Sequence, residues 1–429
     1  MRQIKVTAPK AFVPCTIQLP ISKSIANRVL AISALACKAQ EENADKTAAP
    51  EKSDRWDMEG EVCDDIRAMR RVVDSIRGGE KGERVIDVGA AGTAMRFATA
   101  ILAVKEGDWI LTGSRRLKER PIKPLVDALR EMGADIEYLG EQALPPLRIR
   151  GKGKMKGGRI TIPGNISSQF ISALMMIAPL MQEGMHISIT GEIMSRPYID
   201  MTMEVMNSFV TGKVAEWTKE REINIRHGQY CYSYRDIEPD WTAASYWYEI
   251  FSIMDFPDGE KYLPGRKGKS IQGDGICREL FDMINNDGER GRLGFSYDFS
   301  GCPDLVQTMV ATCCMKGIQF RFTGVSTLRI KETNRLEALR VEMAKMGYML
   351  ETGDDCISWE PTPHHPTPAT GAGAVVIDTY SDHRMAMALA PCSLKVGEII
   401  VNDPDVVSKS YPTFWDDLRK TGFRITEIS

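Results

Sequence analysis

The chain has 429 residues, 43% of them hydrophobic, enough for large cores and for two or three domains. Its net charge of -3 excludes a global field that would favour nucleic acid or an acidic membrane, so any anion binding must come from local clusters. The longest apolar run, Phe170 to Met181, contains Ser172 and Pro179 and is too short to cross a bilayer.

In chain order, Ile4 to Thr7 and Thr16 to Leu19 read as strands, and a helix follows Pro20. Its start, Ser22-Lys23-Ser24-Ile25-Ala26-Asn27-Arg28, crowds hydroxyls, a Lys and an Arg at a helix N-terminus, which is the composition of an anion cradle. A polar, Ala-rich insertion from Lys38 to Gly60 reads as a mobile surface loop. The strand Val85 to Val88 leads through Gly89-Ala90-Ala91-Gly92 into a helix opening at Thr93 and containing Arg96. Those glycines let backbone approach a ligand, although a plain strand-to-helix turn uses the same residues.

The strand Trp109 to Thr112 is followed by Lys118-Glu119-Arg120-Pro121, a cation at the mouth of a helix with Pro121 in its first turn. After the strand Ile160 to Ile162, Ser167-Ser168-Gln169 opens the apolar helix; these three neutral hydrogen-bonding groups suit a phosphate dianion or an ordinary N-cap. The strand His186 to Thr190 precedes Ser195-Arg196-Pro197-Tyr198, which repeats the device.

Further helices open at Asp240, Pro303, Thr333, Asp382 and Pro412, with strands at Gln319 to Thr323, Val375 to Asp378 and Ile399 to Val401. The stretch Asp258 to Gly275 reads as a second surface loop without chemistry. Within Leu328 to Arg335, a helix entered near Thr333 places Lys331 and Arg335 four apart on one face, flanked by Glu332 and Asn334. Cations hold phosphate or carboxylate, and a carboxylate among them stays ionised and can move a proton. Taken alone, the same residues make a solvated salt-bridge face. Asp382-His383-Arg384 and Ser408-Lys409-Ser410 are later clusters of the same kind.

Ten cysteines form no CxxC pair and five histidines show no zinc spacing, His364 and His365 lying in a Pro-rich loop; reduced cytoplasmic thiols and no metal are expected. The N-terminus has no apolar region of a secretory signal. Gly268-Lys269-Ser270 lacks the first glycine of a P-loop, and Gly151, Gly153 and Gly157 miss the dinucleotide spacing, so no nucleotide cofactor is implied.

Ten segments in order carry a resemblance: SKSIANR (22 to 28), GAAGTAMR (89 to 96), RLKERPI (116 to 122), SSQF (167 to 170), SRPYID (195 to 200), EPDWTAASY (238 to 246), PDLVQT (303 to 308), LRIKETNRL (328 to 336), YSDHRMAMA (380 to 388) and SKSYPTFW (408 to 415). Together they resemble the EPSP (5-enolpyruvylshikimate-3-phosphate) synthase family, enolpyruvyl transferases of aromatic amino-acid biosynthesis. The resemblance implies an α/β enolpyruvyl transferase fold, an inside-out α/β barrel of two domains, each built from three βαβαββ units. One domain would comprise residues 1–20 and 238–429, the other residues 21–237, with the active site in the cleft between them.

The implied reaction joins the 5-hydroxyl of shikimate 3-phosphate to C2 of phosphoenolpyruvate and expels phosphate, with no cofactor. On the family pattern, Lys23, Arg120 and Lys409 hold the phosphoenolpyruvate phosphate, Arg335 and Arg384 its carboxylate, and Gly92 and Gln169 complete that pocket. Ser24 and Arg28 take the shikimate carboxylate, Ser167, Ser168 and Ser195 with Gln169 the phosphate, and Asp304 and Lys331 the hydroxyls; Lys23 also borders this substrate. Glu332, Asp304 and Lys23 are the proton-transfer candidates, and Thr93, Tyr198 and His383 support the site. The implied partners are these two small molecules, with no nucleic acid, no membrane and a monomeric state in the cytoplasm.

Three positions depart from the pattern: Ile21 stands for a Gly, Ala90 for an Asn and Thr327 for an Asn that often helps bind shikimate 3-phosphate. The alternative reading is a UDP-N-acetylglucosamine enolpyruvyl transferase, whose first motif carries Lys-Asn where this chain has Lys23-Ser24. A catalytically inactive binding relative would have lost Lys23, Asp304, Glu332 or Lys409, and all four are present.

Overall fold

The computed structural model describes residues 2–36, 62–78, 82–231, 236–265, 269–286, 294–361 and 373–428. The insertion at 38–60 and the His364–His365 loop lie outside these residues. The chain forms two compact units, Met1–Ser22 with Glu238–Ser429, and Lys23–Ile237.

Strand β1 (Gln3–Thr7) opens the first unit. The second unit then runs α1 (Lys23–Leu35), α2 (Asp64–Arg77), β2 (Glu83–Asp87), α3 (Gly92–Val104), β3 (Gly107–Thr112), α4 (Arg115–Lys118), α5 (Lys123–Glu131), β4 (Asp135–Tyr138), β5 (Leu147–Gly151), β6 (Gly158–Pro163), α6 (Ser168–Ile177), β7 (Met185–Thr190), α7 (Arg196–Ser208), β8 (Ala215–Lys219) and β9 (Glu222–Ile225). The first unit resumes with α8 (Trp241–Ile253), α9 (Cys277–Asn286), β10 (Phe295–Asp298), α10 (Val306–Lys316), β11 (Phe320–Thr323), α11 (Arg335–Lys345), β12 (Glu351–Thr352), β13 (Cys356–Trp359), β14 (Val375–Ile377), α12 (His383–Leu389), α13 (Ser393–Val396), β15 (Glu398–Asn402), α14 (Phe414–Lys420) and β16 (Arg424–Ile428).

Four sheets of four strands share one topology. In each, the first two strands run parallel and are joined through a helix, as a parallel crossover requires, and the remaining two add antiparallel. In the sheet β14-β15-β1-β16 the place of the fourth strand is taken by β1, paired Gln3 to Asn402 on one side and Gln3 to Ile428 on the other. The chain's first strand therefore closes its last repeat. Each unit thus holds two complete βαβαββ repeats among the described residues, and a helix pair (α1 with α2, α8 with α9) stands where a third repeat is expected. No sheet closes into a barrel among the described residues.

The layering follows from composition. In α3, α6, α8, α10 and α12 nearly every residue is apolar or small and buried, so these helices need cover on all sides. The strands alternate instead: β6 and β15 bury every second residue and leave the others exposed or half-buried. Helices inside and sheets outside are the result. Burying each large apolar side chain contributes about 1.5–3 kcal/mol, more than the ~1 kcal/mol of an N-cap, so burial decides that these helices form and caps decide where they begin.

Three expectations shift. Thr16–Leu19 is not a strand: between Pro14 and Pro20 its backbone makes a bond from Ile17 N to Tyr262 O at 2.9 Å but joins no sheet. The helix expected at Pro121 begins at Lys123, with Pro124 in its first turn. The stretch 258–275 is partly core, because Leu263, Gln272 and Asp274 are buried and Gly259 packs so closely on the Phe251 ring that a Cβ would lie 2.2 Å from it. Among the described residues, no helix is long and apolar enough to cross a membrane.

Candidate active site

In the second unit, the starts of α1, α3, α6 and α7 come together because these four helices pack on one another. Lys23 is the first residue of α1, and its Nζ lies 3.2 Å from the buried Asp65 carboxylate at the start of α2. Gln169 donates to the Thr93 hydroxyl at 2.9 Å, tying the start of α6 to that of α3. Ser167 caps α6 by accepting from Gln169 N at 3.4 Å, which leaves Ser168 as its first residue. Ser195 precedes α7 in the left-handed region, with φ of 57°, and is 7% exposed. Non-glycine residues held there cost about 1–3 kcal/mol and cluster where a side chain must be aimed.

Arg28 is only 2% exposed and surrounded by neutral acceptors. Its Nε donates to Thr202 Oγ1 (2.7 Å), Nη1 to Ser24 O (2.7 Å), and Nη2 to Ser172 Oγ (3.2 Å) and Tyr198 O (3.1 Å). Phe97 and Tyr198 flank the guanidinium at 5.4 and 5.9 Å. Burial pulls its pKa down to about 10. Of five N–H groups, four are used within the protein, so Arg28 can offer a ligand one N–H and its positive field.

Gly92 holds the tightest point. A Cβ there would lie 2.5 Å from Arg96 Nη1 and 2.9 Å from Arg120 Nη1, so two guanidinium groups meet where the backbone has no side chain. Arg96 also donates to Gly92 O at 2.9 Å. Sequence reasoning omitted Arg96 as a site residue, although its position four residues after Gly92, one helical turn on, was a usable signal.

The first unit gathers Asp304, Lys331, Glu332, Arg335, Asp382, Arg384 and Lys409. Asp304, in the short turn Pro303–Leu305 before α10, takes Arg335 Nη1 at 2.9 Å on one oxygen and Arg384 Nη2 at 2.8 Å on the other, with Lys331 Nζ at 3.8 Å. Glu332 lies between Arg335 Nη2 (3.0 Å) and Lys409 Nζ (3.9 Å). Asp382 caps α12, accepting from Arg384 N at 2.9 Å, and binds Arg335 Nε at 2.7 Å. Tyr246 OH accepts from Arg384 Nη1 at 3.4 Å, and His383 is buried with Nδ1 3.7 Å from Asp382.

The helix expected at Thr333 instead starts at Arg335 under an Asn334 cap, so Lys331 precedes it rather than sharing its face. Lys331 and Arg335 still converge, because both reach Asp304. Burial alone would lower the Arg335 pKa, but Asp382, Glu332 and Asp304 outweigh it and raise it. Burial lowers the Lys331 pKa, with Asp304 opposing. Four cations thus face three carboxylates. Anionic ligands can take over cations that the protein's own carboxylates hold in their absence. Among the described residues, no group of three or more His, Cys, Asp or Glu side chains is placed to hold a metal ion.

Of the predicted site residues, those from Lys23 to Tyr198 lie in the second unit and those from Asp304 to Lys409 in the first. Asp65, Arg96, Tyr246 and Asp382 are the additions. Asp65 lies in α2, a helix that sequence reasoning missed.

A family model described as EPSP synthase (3-phosphoshikimate 1-carboxyvinyltransferase) matches residues 8–418. A 3-phosphoshikimate 1-carboxyvinyltransferase of Bacteroides fragilis is 42% identical over 428 residues, covering 96% of each chain. One from Neisseria meningitidis serogroup B is 35% identical over 425 residues, covering 94% of this chain and 95% of its own. Among solved structures, an EPSP synthase from Acinetobacter baumannii superposes with a TM-score of 0.71 at 17% identity over the whole of both chains. The enolpyruvyl transferase NikO from Streptomyces tendae gives 0.67 at 11% identity, covering 100% of this chain and 99% of that one. These two share the fold.

Proposed function

The chain belongs to the EPSP synthase family, and from that premise we propose that it is a 3-phosphoshikimate 1-carboxyvinyltransferase, moving the enolpyruvyl group of phosphoenolpyruvate to the 5-hydroxyl of shikimate 3-phosphate. The observation that carries this reading, beyond family membership, is the Asp304–Arg335–Glu332–Lys409 array, in which two carboxylates are each held by two or more cations. Two phosphates and two carboxylates must be held close together, and their repulsion demands several fixed cations. Lys23, Arg120 and Lys409 take the phosphoenolpyruvate phosphate, Arg335 and Arg384 its carboxylate, with Gly92 and Gln169 beside them. Ser24 and Arg28 meet the shikimate carboxylate, Ser167, Ser168 and Ser195 its phosphate, and Lys331 and Asp304 its hydroxyls.

Asp304, held by three cations, accepts the 5-hydroxyl proton as the oxygen bonds to C2. Glu332 supplies the proton to C3: once phosphoenolpyruvate draws Arg335 and Lys409 to itself, the added negative charge favours the proton-bearing form of Glu332. The tetrahedral intermediate then breaks its C2–O bond to phosphate, and C3 returns a proton to restore the double bond. Cys313, Cys314 and Cys392 are buried thiols outside any disulfide, which supports a reducing, cytoplasmic setting.

Phosphate release by purified protein tests the substrate assignment. Release is expected with phosphoenolpyruvate plus shikimate 3-phosphate and not with phosphoenolpyruvate plus UDP-N-acetylglucosamine; turnover with the sugar nucleotide alone would overturn it. A second expectation concerns Gly92→Ala. The added methyl must push Arg96 and Arg120 aside, since both lie within 2.9 Å of it. The KM for phosphoenolpyruvate should rise about tenfold or more, equivalent to ~1.4 kcal/mol, while the melting temperature holds because Ala is the better helix former. An unchanged KM would show that these guanidinium groups do not meet phosphoenolpyruvate.

A further inference from the structure

Asp65, which pairs with Lys23 between α1 and α2, has no part in the chemistry above. Asp65 lies in the first turn of α2, where a carboxylate suits the helix dipole, and is only 3% exposed. Asp64, beside it, turns outward and pairs with Arg67 at 2.7 Å on the exposed side of the helix. Asp65 points inward, with Oδ2 3.2 Å from Lys23 Nζ, and the two side chains are 4% and 14% exposed.

The surroundings of Lys23 favour a carboxylate beside it. Lys23 opens a helix with no acidic residue in its first turn, where the positive end of the helix dipole disfavours an ammonium. Among the described residues, α2 also carries Arg67, which pairs with Asp64, the half-buried Arg70, and the exposed Arg71, Asp74 and Arg77. Arg28 lies on α1 itself and Arg96 on α3, while α6 has no titratable side chain. On α7, Asp200 bonds Trp217 and Arg196 stacks on the same ring, Glu204 is exposed, and Tyr198 flanks Arg28. Asp65 is a carboxylate placed to offset this field at Lys23.

We propose that Asp65 is a positioning residue: its carboxylate fixes the Lys23 ammonium at the start of α1 and keeps it charged for the incoming phosphate. The inference rests on the reading of Lys23 as a phosphate ligand, and the test separates the two.

The measurement is kcat/KM for phosphoenolpyruvate from about pH 6 to pH 10 in Asp65→Asn, Asp65→Glu and Lys23→Arg, with thermal unfolding of each variant. An opposite charge nearby favours the charged form, so Lys23 without Asp65 loses its proton at lower pH. The alkaline limb should move down by about one unit or more in Asp65→Asn, with KM rising more than kcat falls. Asp65→Glu should keep the limb near its original position. A merely structural role would lower activity evenly across pH and leave the limb in place; that result in folded Asp65→Asn, with the limb abolished in Lys23→Arg, overturns the inference alone. A limb that persists in Lys23→Arg overturns the reading of Lys23 itself. If Asp65→Asn does not fold, Asp65→Glu decides: KM raised with kcat kept supports positioning, and KM and kcat both as in the parent oppose it.

Discussion

Glu332→Gln is expected to lower kcat by about 10²- to 10⁴-fold while leaving the binding of shikimate 3-phosphate within about threefold of the original. The amide has the shape of the carboxyl and can still meet Arg335, 3.0 Å away, so the local packing survives. What it loses is the capacity to give up and recover a proton at C3. It also stops competing for Lys409, 3.9 Å from the carboxylate, so affinity for phosphoenolpyruvate should hold or tighten. Single-turnover rates and direct titration with each substrate separate the two effects. Near-normal single-turnover rates would remove Glu332 from the mechanism, and a fall in affinity matching the fall in rate would make it a binding group only.

The helix starts were legible wherever a capping side chain preceded an apolar run: Asp240, Asp382 and Ser167 all accept a backbone N–H in the first turn of the helix read from them. The helix α2 is hard to see in the sequence although Ile66, Met69, Val72 and Val73 repeat at helical spacing and are buried, because Cys63 stands at its start and gives no capping signal after the polar insertion. Strands such as β5 were missed because Arg148 and Arg150 alternate with Leu147 and Ile149 and resemble a charged loop. Their partners, Asp108, Asp135 and Glu137, are supplied by neighbouring strands. The repeats were illegible because what recurs is strand order and direction; the side chains filling equivalent helices differ.

The same limit governs the site. Residue types and helix starts showed that Lys23, Arg28, Arg335 and Arg384 belong among anions, but partners lie too far along the chain for spacing to reveal. Arg28 meets Thr202 and Ser172, and Arg335 meets Asp382. One consequence is that Arg335 cannot be read as a vacant ligand. Three carboxylates already take four of its five N–H groups, so a substrate carboxylate gains a two-pronged grip only by exchange with one of them.

Asp304 and Glu332 are the carboxylates open to that exchange, and Asp304→Asn should separate catalysis from binding in an unusual way. Asp304 bridges Arg335 and Arg384 at 2.9 and 2.8 Å, with Lys331 at 3.8 Å, and its side chain is 16% exposed where that of Asp382 is fully buried. Without its charge, kcat should fall about 10²- to 10⁴-fold for want of a base at the 5-hydroxyl. The freed guanidinium groups should bind anions at least as well as before. The ligand-free variant is also expected to lose roughly 1–3 kcal/mol of stability, because buried cations keep fewer charged partners. Binding of anions to the folded form restores stability by mass action, so added inorganic phosphate should raise the melting temperature of Asp304→Asn more than that of the parent. Calorimetry with and without phosphate, beside steady-state rates, checks both. Lost activity together with a smaller response to phosphate would mean that Asp304 organises the cations rather than competing for them, and the assignment of the base would then have to move to another group.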